Sequence, residues 1–370
     1  KLIVAFKKYG DESKLAENAV EHLFELYVQI SSDAESDNSL DEKFRESFKL
    51  LSSWDSEMKE IWARFTKLSI VAMNTQLNRL FVYPDYNIWE SFYEWLNLAK
   101  MEDYPDLTYS MHEIVAELID KKIATQNDDG SVWVVFPEEM NIPSCILQKR
   151  DGTHGYLASD LASIKYRMDN WNPKKILYFV DVRQQLHLKQ AFVISKKAWW
   201  LSDDTTEITH AHNWFISLKD WAMSTRKWKI IKLEALLDEA EKKAENIILE
   251  KRDDFDEKKL KKLSKIISVG AIKYGYLKKS RETDVIFDWD EFMSFEWNSG
   301  PYIQYAYVRA QKILDKAWIT IKFQDLSFQT QEEITLVKHI LEFKNIIDEM
   351  SRDYYPHVLC QYVYDMTKKF

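Results

Sequence analysis

The stretch LQKRDGTHGYLASDLASIKYRMDNWNPKKILYFVDVRQQLHLKQ, from Leu147 to Gln190, decides how the chain is organised. It reads as a loop, a helix, a strand, a second loop and a second helix. From Ala158 onward apolar residues recur at helical spacing, with Asp160 in the first turn, and Asn172-Pro173 ends this helix. The first half of the stretch therefore predicts a helix that follows a glycine-containing turn.

A short apolar run comes next, from Ile176 to Val180, and it is typical of a buried parallel strand. The polar segment Asp181 to Gln185 follows it directly. Open α/β sheets bind their ligands beyond the carboxyl ends of their strands. We therefore expect a ligand site near Asp181 to Gln185.

Composition sets the broad class of the protein. At 370 residues the chain is long enough for two or three domains, and 46% hydrophobic residues can build their cores. The apolar runs are interrupted by charges well before about 20 residues, so no membrane span is predicted. Cys145 and Cys360 lie far apart without a CxxC motif, which predicts neither a disulfide nor a protein-bound zinc ion. We expect a protein of the reducing cytoplasm.

The charge pattern bears on nucleic-acid binding. A net charge of −9 argues against a general nucleic-acid coat, but it does not exclude a specific RNA. Two basic tracts stand out, Lys258 to Lys262 and Lys278 to Arg281. Each could equally be a solvated helix face.

Outside the central stretch the pattern is mostly helical. Ala16 to Ile30 and Leu40 to Leu80 predict helices separated by a polar loop at Ser31 to Ser39, and Ser131 to Phe136 alternates as a strand does. After about Ala240 we expect only long helices and no short strands. These are predicted at Glu241 to Arg252, Glu257 to Ser280, Pro301 to Ala317, Gln331 to Met350 and Pro356 to Phe370.

Four separated blocks together resemble one family, in the same order and with similar spacing. They are DGTHGYLASDLASIKYR from Asp151, LYFVDVRQQLHLKQ from Leu177, AMSTRK from Ala222 with IKLEALLDEA from Ile231, and FEWNSGPYIQYAYVRAQKIL from Phe295. Their wording closely resembles that of the arginyl-tRNA synthetases, which are class I aminoacyl-tRNA synthetases. The resemblance can be followed, with gaps, over nearly the whole chain.

The resemblance implies a fold of α/β plus all-α class. Residues 1–247 would form the back half of a Rossmann-like catalytic domain with a helical insertion, and residues 248–370 an α-helical anticodon-binding bundle. The family's HIGH signature does not occur in this sequence, and the chain starts with Lys1. We expect a fragment that lacks the N-terminal part and the extreme C-terminus and that is inactive alone.

The resemblance also implies the arginine-binding residues. An arginine pocket needs carboxylates, which can take the guanidinium in a bidentate manner. Glu90 and Asp160 match the acidic positions, Tyr156 the tyrosine that contacts the guanidinium, Gln184 the glutamine facing the α-amino group, and His187 a residue lining the site. Taken singly, each has an ordinary explanation: a surface glutamate, a carboxylate at a helix start, a core tyrosine, a structural histidine. Only their joint occurrence in family order favours a pocket.

The segment Met223, Ser224, Thr225, Arg226 and Lys227 resembles the family's KMSKS loop, which closes over ATP. Its cationic side chains would offset charge on the transferring phosphates. Ala222 stands where the signature's first lysine belongs, and this puts the role of Lys227 in doubt. As a bare pattern the segment would be only a polar loop.

The last block carries the residues that the family places toward tRNA: Asn298, Tyr302, Gln304, Tyr305 and Arg309. Tyrosines can stack on bases, and arginine can meet phosphates or base edges. Tyr302 and Tyr305 lie at helical spacing, however, and two such aromatics normally pack inward.

The function implied is that of an arginine–tRNA ligase, which activates L-arginine with ATP and Mg²⁺ and transfers it to tRNA(Arg). The Mg²⁺ would be bound to the substrate, and the protein would act as a monomer with no membrane partner. Two alternatives stay open: a non-catalytic tRNA-binding fragment, and a class I synthetase for another amino acid, such as a cysteinyl relative.

The glycine count is abnormally low, at 7, whereas tryptophan reaches 14. The usual frequency would give about 26 glycines. Eight tryptophans stand where the family wording has glycine: Trp54, Trp89, Trp214, Trp221, Trp228, Trp297, Trp318 and one of Trp199 and Trp200. A single cause explains them, namely UGA codons translated as tryptophan although the source reads them as glycine. A diverged or decaying enzyme is the alternative.

Overall fold

The computed structural model describes residues 1–52, 55–94, 104–214, 216–218, 232–251, 255–317 and 327–370. The chain divides into two compact units. The first contains Lys1–Lys174 and Gln190–Thr206, and the second contains Lys175–Lys189 and Glu207–Phe370.

The first unit starts with helices packed around one apolar core. They are α1 (Leu2–Tyr9), α2 (Glu12–Glu17), α3 (Ala19–Ser36), α4 (Ser39–Ser52) and α5 (Ser56–Arg79). The core contains Leu15, Leu26, Ile30 and Phe65. Two predictions here were wrong. Asn18 separates two helices, because its side chain caps α3 at Glu21 N. The polar segment that was expected to be a loop continues α3 to Ser36, since Ile30 is fully buried and anchors the last turns.

A small antiparallel sheet follows α6 (Met111–Asp120). Its strands are β1 (Thr125–Gln126), β2 (Val132–Val134) and β3 (Cys145–Gln148), in the order β1-β2-β3. The turn between β1 and β2 contains Gly130 at φ +84°, a conformation that glycine adopts without strain. The predicted strand is therefore confirmed, although β2 is shorter than predicted.

The helix of the central stretch is α7 (Tyr156–Trp171). It begins two residues before the predicted start, since Gly155 forms the boundary and Tyr156 is already helical. Its last residue is Trp171, and Asn172, with φ +40°, is the C-cap, so the helix stops where the Asn-Pro pair predicted. Asp160 is thus the fifth helical residue and not a first-turn residue.

Helix α8 (Gln185–Lys197) ends in a motif that usually contains glycine. Trp199 N donates to Lys196 O at 3.1 Å and Trp200 N donates to Ser195 O at 3.1 Å, the paired bonds of a Schellman motif. Trp199 occupies the left-handed position with φ +62°. A tryptophan therefore stands where a glycine is favoured.

The other tryptophans of the misreading hypothesis divide into two groups. Trp89, Trp214 and Trp297 are exposed, but their φ angles are not among the positive ones. The remaining four lie outside the described residues: Trp54, Trp221, Trp228 and Trp318.

The second unit contains two parallel strand pairs. β4 (Lys175–Tyr178) pairs with β5 (Glu207–His210) in parallel, as predicted, but the expected burial was wrong because Ile176 is the one buried residue of β4. β6 (Ile216–Leu218) pairs with β7 (Val285–Phe287). The expectation that no strand follows residue 240 was wrong, because Val285 and Phe287 are buried against the apolar face of neighbouring helices and pair with a strand far earlier in the chain.

Long helices dominate the rest of this unit. They are α9 (Leu233–Lys251), α10 (Glu257–Leu277), α11 (Trp289–Met293), α12 (Gly300–Ala317), α13 (Gln331–Leu341), α14 (Phe343–Asp353) and α15 (Pro356–Lys369). The single helix predicted at Gln331 to Met350 is two helices, because Glu342 N donates to both Lys338 O and His339 O where the chain leaves α13. The expected domain boundary at 247/248 falls inside α9 and stays a prediction.

Two glycines let α10 and α12 approach each other closely. A Cβ at Gly300 would overlap the backbone carbonyl of Gly270, and a Cβ at Gly270 would overlap the side-chain amide of Gln304. Neither glycine needs an unusual φ. Glycine is required at both positions because any side chain there would collide with the neighbouring helix.

Arg281 connects distant segments of the second unit. Its Nε donates to Tyr354 O at 3.0 Å, its Nη1 donates to His212 O at 2.9 Å, and its guanidinium lies 4.7 Å from the Tyr355 ring. One side chain thus fixes the segment after β5 to the loop between α14 and α15.

Among the helices in the described ranges, none combines the length and apolar character required to cross a membrane.

Candidate functional site

The carboxylate of Glu90 is held at the start of α7. Glu90 is the first residue of a 3-10 helix, Glu90–Glu94, and Ser159 Oγ lies 2.7 Å from its Oε1. Ser159 is 5% exposed, whereas Glu90 is exposed. The buried hydroxyl thus positions a carboxylate that stays accessible to a ligand.

The N-terminus of α7 is a favourable place for such a carboxylate. Gly155 precedes the helix and supplies no side-chain cap. The partial positive charge at a helix N-terminus stabilises nearby anions. Glu90 contacts the first turn from outside the helix, so it can benefit from this field.

Tyr156 and Asp160 lie one helical turn apart on α7, and therefore on one face of it. Tyr156 is the first helical residue and is 77% exposed, and Asp160 is half-buried. Ser159 lies between them in sequence and also contacts Tyr156 O at 2.8 Å. Glu90, Tyr156 and Asp160 are thus gathered around the first turn and a half of one helix.

An aromatic cluster holds the 3-10 helix against α7. The ring of Tyr166, on α7, lies 5.2 Å from that of Phe92 and 5.9 Å from that of Tyr93, in edge-to-face geometry. The Tyr166 hydroxyl donates to Pro105 O at 2.6 Å, and burial raises its pKa to about 12. A fully buried tyrosine therefore fixes the segment that presents Glu90.

Gln184 and His187 belong to the second unit. Gln184 ends a 3-10 helix, Val182–Gln184, that follows β4, and His187 lies in the first turn of α8. Asp181 caps the N-terminus of this helix. Its Oδ1 accepts from Arg183 Nε and from Arg183 N, both at 2.8 Å, and these bonds lower the pKa of Asp181. Gln184 is exposed and His187 is half-buried. The polar segment follows the strand as predicted, but it forms a 3-10 helix and not an open loop, and the ligand site expected there stays a prediction.

The predicted ATP loop consists of five consecutive residues. The whole segment lies outside the described residues: Met223, Ser224, Thr225, Arg226 and Lys227.

Two of the residues predicted to face tRNA are engaged inside the helical bundle. Asn298 Oδ1 accepts from the Tyr274 hydroxyl, and Asn298 O accepts from Lys278 Nζ at 2.7 Å. Gln304 Nε2 donates to Ile266 O at 3.1 Å. Both side chains stabilise helix packing, so their contact with tRNA stays a prediction.

The tyrosines of the same helix differ in exposure. Tyr302 is half-buried, with its ring 5.9 Å from that of Tyr364. Tyr305 is 52% exposed, and the guanidinium of Arg309, itself exposed, lies 5.9 Å from its ring. Tyr305 and Arg309 together present a π-face and a cation on the surface of α12.

The second basic tract is largely used within the protein. Lys278 Nζ lies 2.7 Å from Glu291 Oε1 and its side chain is 8% exposed, and Lys279 Nζ lies 3.1 Å from the same oxygen. Arg281 makes the backbone contacts described above. The lysines of the first tract, from Lys258 to Lys262, are exposed at the start of α10.

The described residues contain no group of three or more histidine, cysteine, aspartate or glutamate side chains that could hold a metal ion. Burial raises the pKa of Cys145 and of Cys360 to about 11, so both are thiols at neutral pH.

Sequence reasoning missed Ser159 and Arg281. Ser159 is next to Asp160, but nothing in the linear sequence connects it with a glutamate 69 residues earlier. Arg281 appeared only as part of a basic tract.

Two family models match the chain. The model described as tRNA synthetases class I (R), catalytic domain, matches residues 1–289, and the DALR anticodon binding domain matches residues 303–370. Together they leave 13 residues between the two matched ranges, 290–302, and these include the start of α12.

Curated relatives match over the whole chain. An arginine–tRNA ligase of Fusobacterium nucleatum is 34% identical over 375 residues, and one of Clostridium botulinum is 34% identical over 373. Each match covers 100% of this chain and 62% of the relative. The chain thus spans about three fifths of the length of these relatives.

Solved structures show the same fold. The arginyl-tRNA synthetase of Plasmodium falciparum has a TM-score of 0.78 at 25% identity, covering 100% of this chain and 59% of that one. The enzyme of Thermus thermophilus has a TM-score of 0.76 at 22% identity, covering 100% and 64%. With both family models and the relatives in agreement, the chain belongs to the arginyl-tRNA synthetases, with the class I catalytic domain followed by a DALR anticodon-binding domain.

Proposed function

We propose that this chain supplies the arginine-binding part of an arginine–tRNA ligase, together with part of its tRNA-binding surface. The observation that carries the proposal is the carboxylate of Glu90, held by Ser159 beside Tyr156 and Asp160 on α7. Two carboxylates and a phenol around one helix start suit a planar cation with several N–H donors. The family resemblance, and not a contact between the two units, assigns Gln184 to the α-amino group of arginine and His187 to the lining of its site.

The reaction has two steps. A carboxylate oxygen of arginine attacks the α-phosphorus of ATP, the bond to the β-phosphate oxygen breaks, and pyrophosphate leaves. A terminal ribose hydroxyl of tRNA(Arg) then attacks the carbonyl carbon of the adenylate, loses its proton, and AMP leaves. Mg²⁺ would arrive with ATP and would neutralise charge on its phosphates. Positioning and electrostatics contribute more here than acid–base chemistry by side chains.

The remaining assignments follow the resemblance. Met223 to Lys227 would contact the phosphates of ATP, with Arg226 and Lys227 as the cations. Tyr305 and Arg309 would meet tRNA, because both are exposed on α12. The enzyme would act in the cytoplasm as a monomer.

Charging of tRNA tests the proposal. The assay uses the complete coding sequence that contains this chain, with arginine and with citrulline, which lacks the guanidinium charge. We expect arginine to be charged with a kcat/KM at least roughly 10⁴-fold above that for citrulline, since the carboxylates would be left unpaired. Equal charging of both would reject the arginine pocket. Binding of tRNA(Arg) without any charging would favour the non-catalytic alternative.

A further inference from the structure

The Ser159 hydroxyl lies near two hydrogen-bond acceptors, one inside α7 and one outside it. Ser159 Oγ faces two acceptors, Glu90 Oε1 at 2.7 Å and Tyr156 O at 2.8 Å. A serine hydroxyl has one proton and can donate to only one of them. The ionised carboxylate is the stronger acceptor, so we assign the proton to Glu90.

Ser163 shows what a serine without this partner does in the same helix. Like Ser159 it is 5% exposed, and it makes the same contact three residues back, to Asp160 O at 2.9 Å. Its other partner is Arg167 Nη1 at 2.6 Å, on α7 itself. Ser163 therefore completes contacts inside α7, whereas Ser159 reaches a residue outside the helix.

The chemistry of the partner matters for a cationic substrate. A lysine or arginine at position 159 would hold Glu90 as well, but it would neutralise the carboxylate. A neutral hydroxyl orients Oε1 and preserves the negative charge, which leaves Oε2 to accept from a guanidinium. Glu90 is also exposed, so a ligand can reach it.

We propose that Ser159 is a positioning residue for arginine specificity: its hydroxyl orients the Glu90 carboxylate toward the guanidinium without neutralising it. This inference rests on the proposed function, because it requires Glu90 to contact arginine. Ser159 itself does not touch the substrate and acts through Glu90.

The experiment measures aminoacylation by the complete enzyme as a function of arginine and of ATP concentration. Ser159→Ala should raise the KM for arginine about 10-fold, the effect of one lost hydrogen bond to a charged group. We expect kcat and the KM for ATP to change less than about twofold, since the reacting atoms are untouched. Ser163→Ala, the matched control, should leave all three constants near those of the unmodified enzyme.

A double-mutant cycle with Glu90→Ala shows whether Ser159 acts through Glu90. In the Glu90→Ala background, Ser159→Ala should cause no further rise in the KM for arginine. Ser159→Cys, of nearly the same volume but a weak donor, serves if the alanine variant does not fold. It should also raise the KM for arginine.

The failures can be told apart. If Glu90→Ala leaves the KM for arginine unchanged, the proposed pocket is wrong and the role of Ser159 is wrong with it. If Glu90→Ala raises the KM but Ser159→Ala and Ser159→Cys behave like Ser163→Ala, only the positioning role is overturned. The same conclusion follows if Ser159→Ala raises the KM equally in both backgrounds.

Discussion

Trp199 and Trp200 are neighbours in the chain and have opposite structural roles. Trp199 has a left-handed backbone, with φ +62°, and an indole that is 88% exposed. Trp200 is half-buried, and its Nε1 donates to Glu117 Oε1 at 2.7 Å. The ammonium groups of Lys121 and Lys165 lie 5.9 and 5.7 Å from its ring. The structure therefore selects between the two tryptophans: Trp199 occupies a glycine position and Trp200 a tryptophan position.

The codons of the gene test this choice. If UGA has been translated as tryptophan, we expect TGA at Trp199 and TGG at Trp200. TGA is likewise expected at Trp89, Trp214 and Trp297. There the prediction rests on glycine in the matching family sequences and not on a positive φ. TGG at Trp199 would contradict the misreading at the one described candidate with a positive φ.

Stability provides a second test at the same place. Trp199→Gly should raise the free energy of unfolding by about 0.5 to 1 kcal/mol, because relief of left-handed strain exceeds the extra entropy of glycine in the unfolded chain. Trp200→Gly should lower it by about 2 kcal/mol or more through lost packing and a lost hydrogen bond. Urea unfolding measures both. Lys122→Gly is the matched control, since Lys122 has φ +57° in the corresponding position after α6, and should resemble Trp199→Gly.

Arginine recognition should depend on the charge of Asp160. In the complete enzyme, Asp160→Asn should weaken arginine binding by roughly 2 to 4 kcal/mol, because the guanidinium would lose an ionised partner in a partly buried site. Steady-state charging at varied arginine concentration gives this value. Asp169→Asn is the control, since Asp169 lies near the other end of α7 and pairs with Lys165. If Asp160→Asn and Asp169→Asn have the same KM and kcat for arginine, Asp160 does not bind the substrate.

The close approach of α10 and α12 should be sensitive to single methyl groups. Gly300→Ala should lower the free energy of unfolding by about 1 to 3 kcal/mol, because the new Cβ would overlap the backbone of Gly270. Gly270→Ala should cost less, since the overlapping group is the side chain of Gln304, which can move. Urea unfolding ranks the two. A larger loss of stability in Gly270→Ala than in Gly300→Ala would mean that the two helices can move apart at Gly300.

His154 should make the stability of the first unit depend on pH. Its pKa is lowered to about 4, first by burial and then by the nearby His112, whose ring centroid lies 4.4 Å from its own. In the unfolded chain the pKa is about 6.5. Between these values the unfolded chain binds a proton that the folded chain does not, so stability is complete above about pH 6.5 and falls as the pH decreases toward 4.

We expect this histidine to lower the free energy of unfolding by about 1 kcal/mol between pH 7 and pH 4.5, with solvent screening at a partly exposed ring allowed for. Urea unfolding at the two pH values measures the change. His154→Gln, which cannot be protonated, should show a smaller decrease. A decrease of the same size in His154→Gln would assign the pH dependence to other groups.

Some features of this protein follow from the sequence alone, because short-range rules produce them. The Asn172-Pro173 pair ends α7, the apolar run after it forms a parallel strand, and a polar segment follows that strand at Asp181. Pro356 begins α15 as its fixed φ favours. Each of these signals acts within a few residues. The order of four motifs was sufficient to identify the family.

Other features were decided only by tertiary structure. Periodicity shows which face of a helix is buried, but it does not show which distant segment covers that face. The contact of Ser159 with Glu90 spans 69 positions, and Lys278, expected on a basic surface, is instead buried against Glu291. The strand at Val285 exists because β6 offers it backbone partners, and Trp200 differs from Trp199 through its hydrogen bond to Glu117, 83 residues earlier in the chain. In each case a long-range contact outweighs the local preference of the residue.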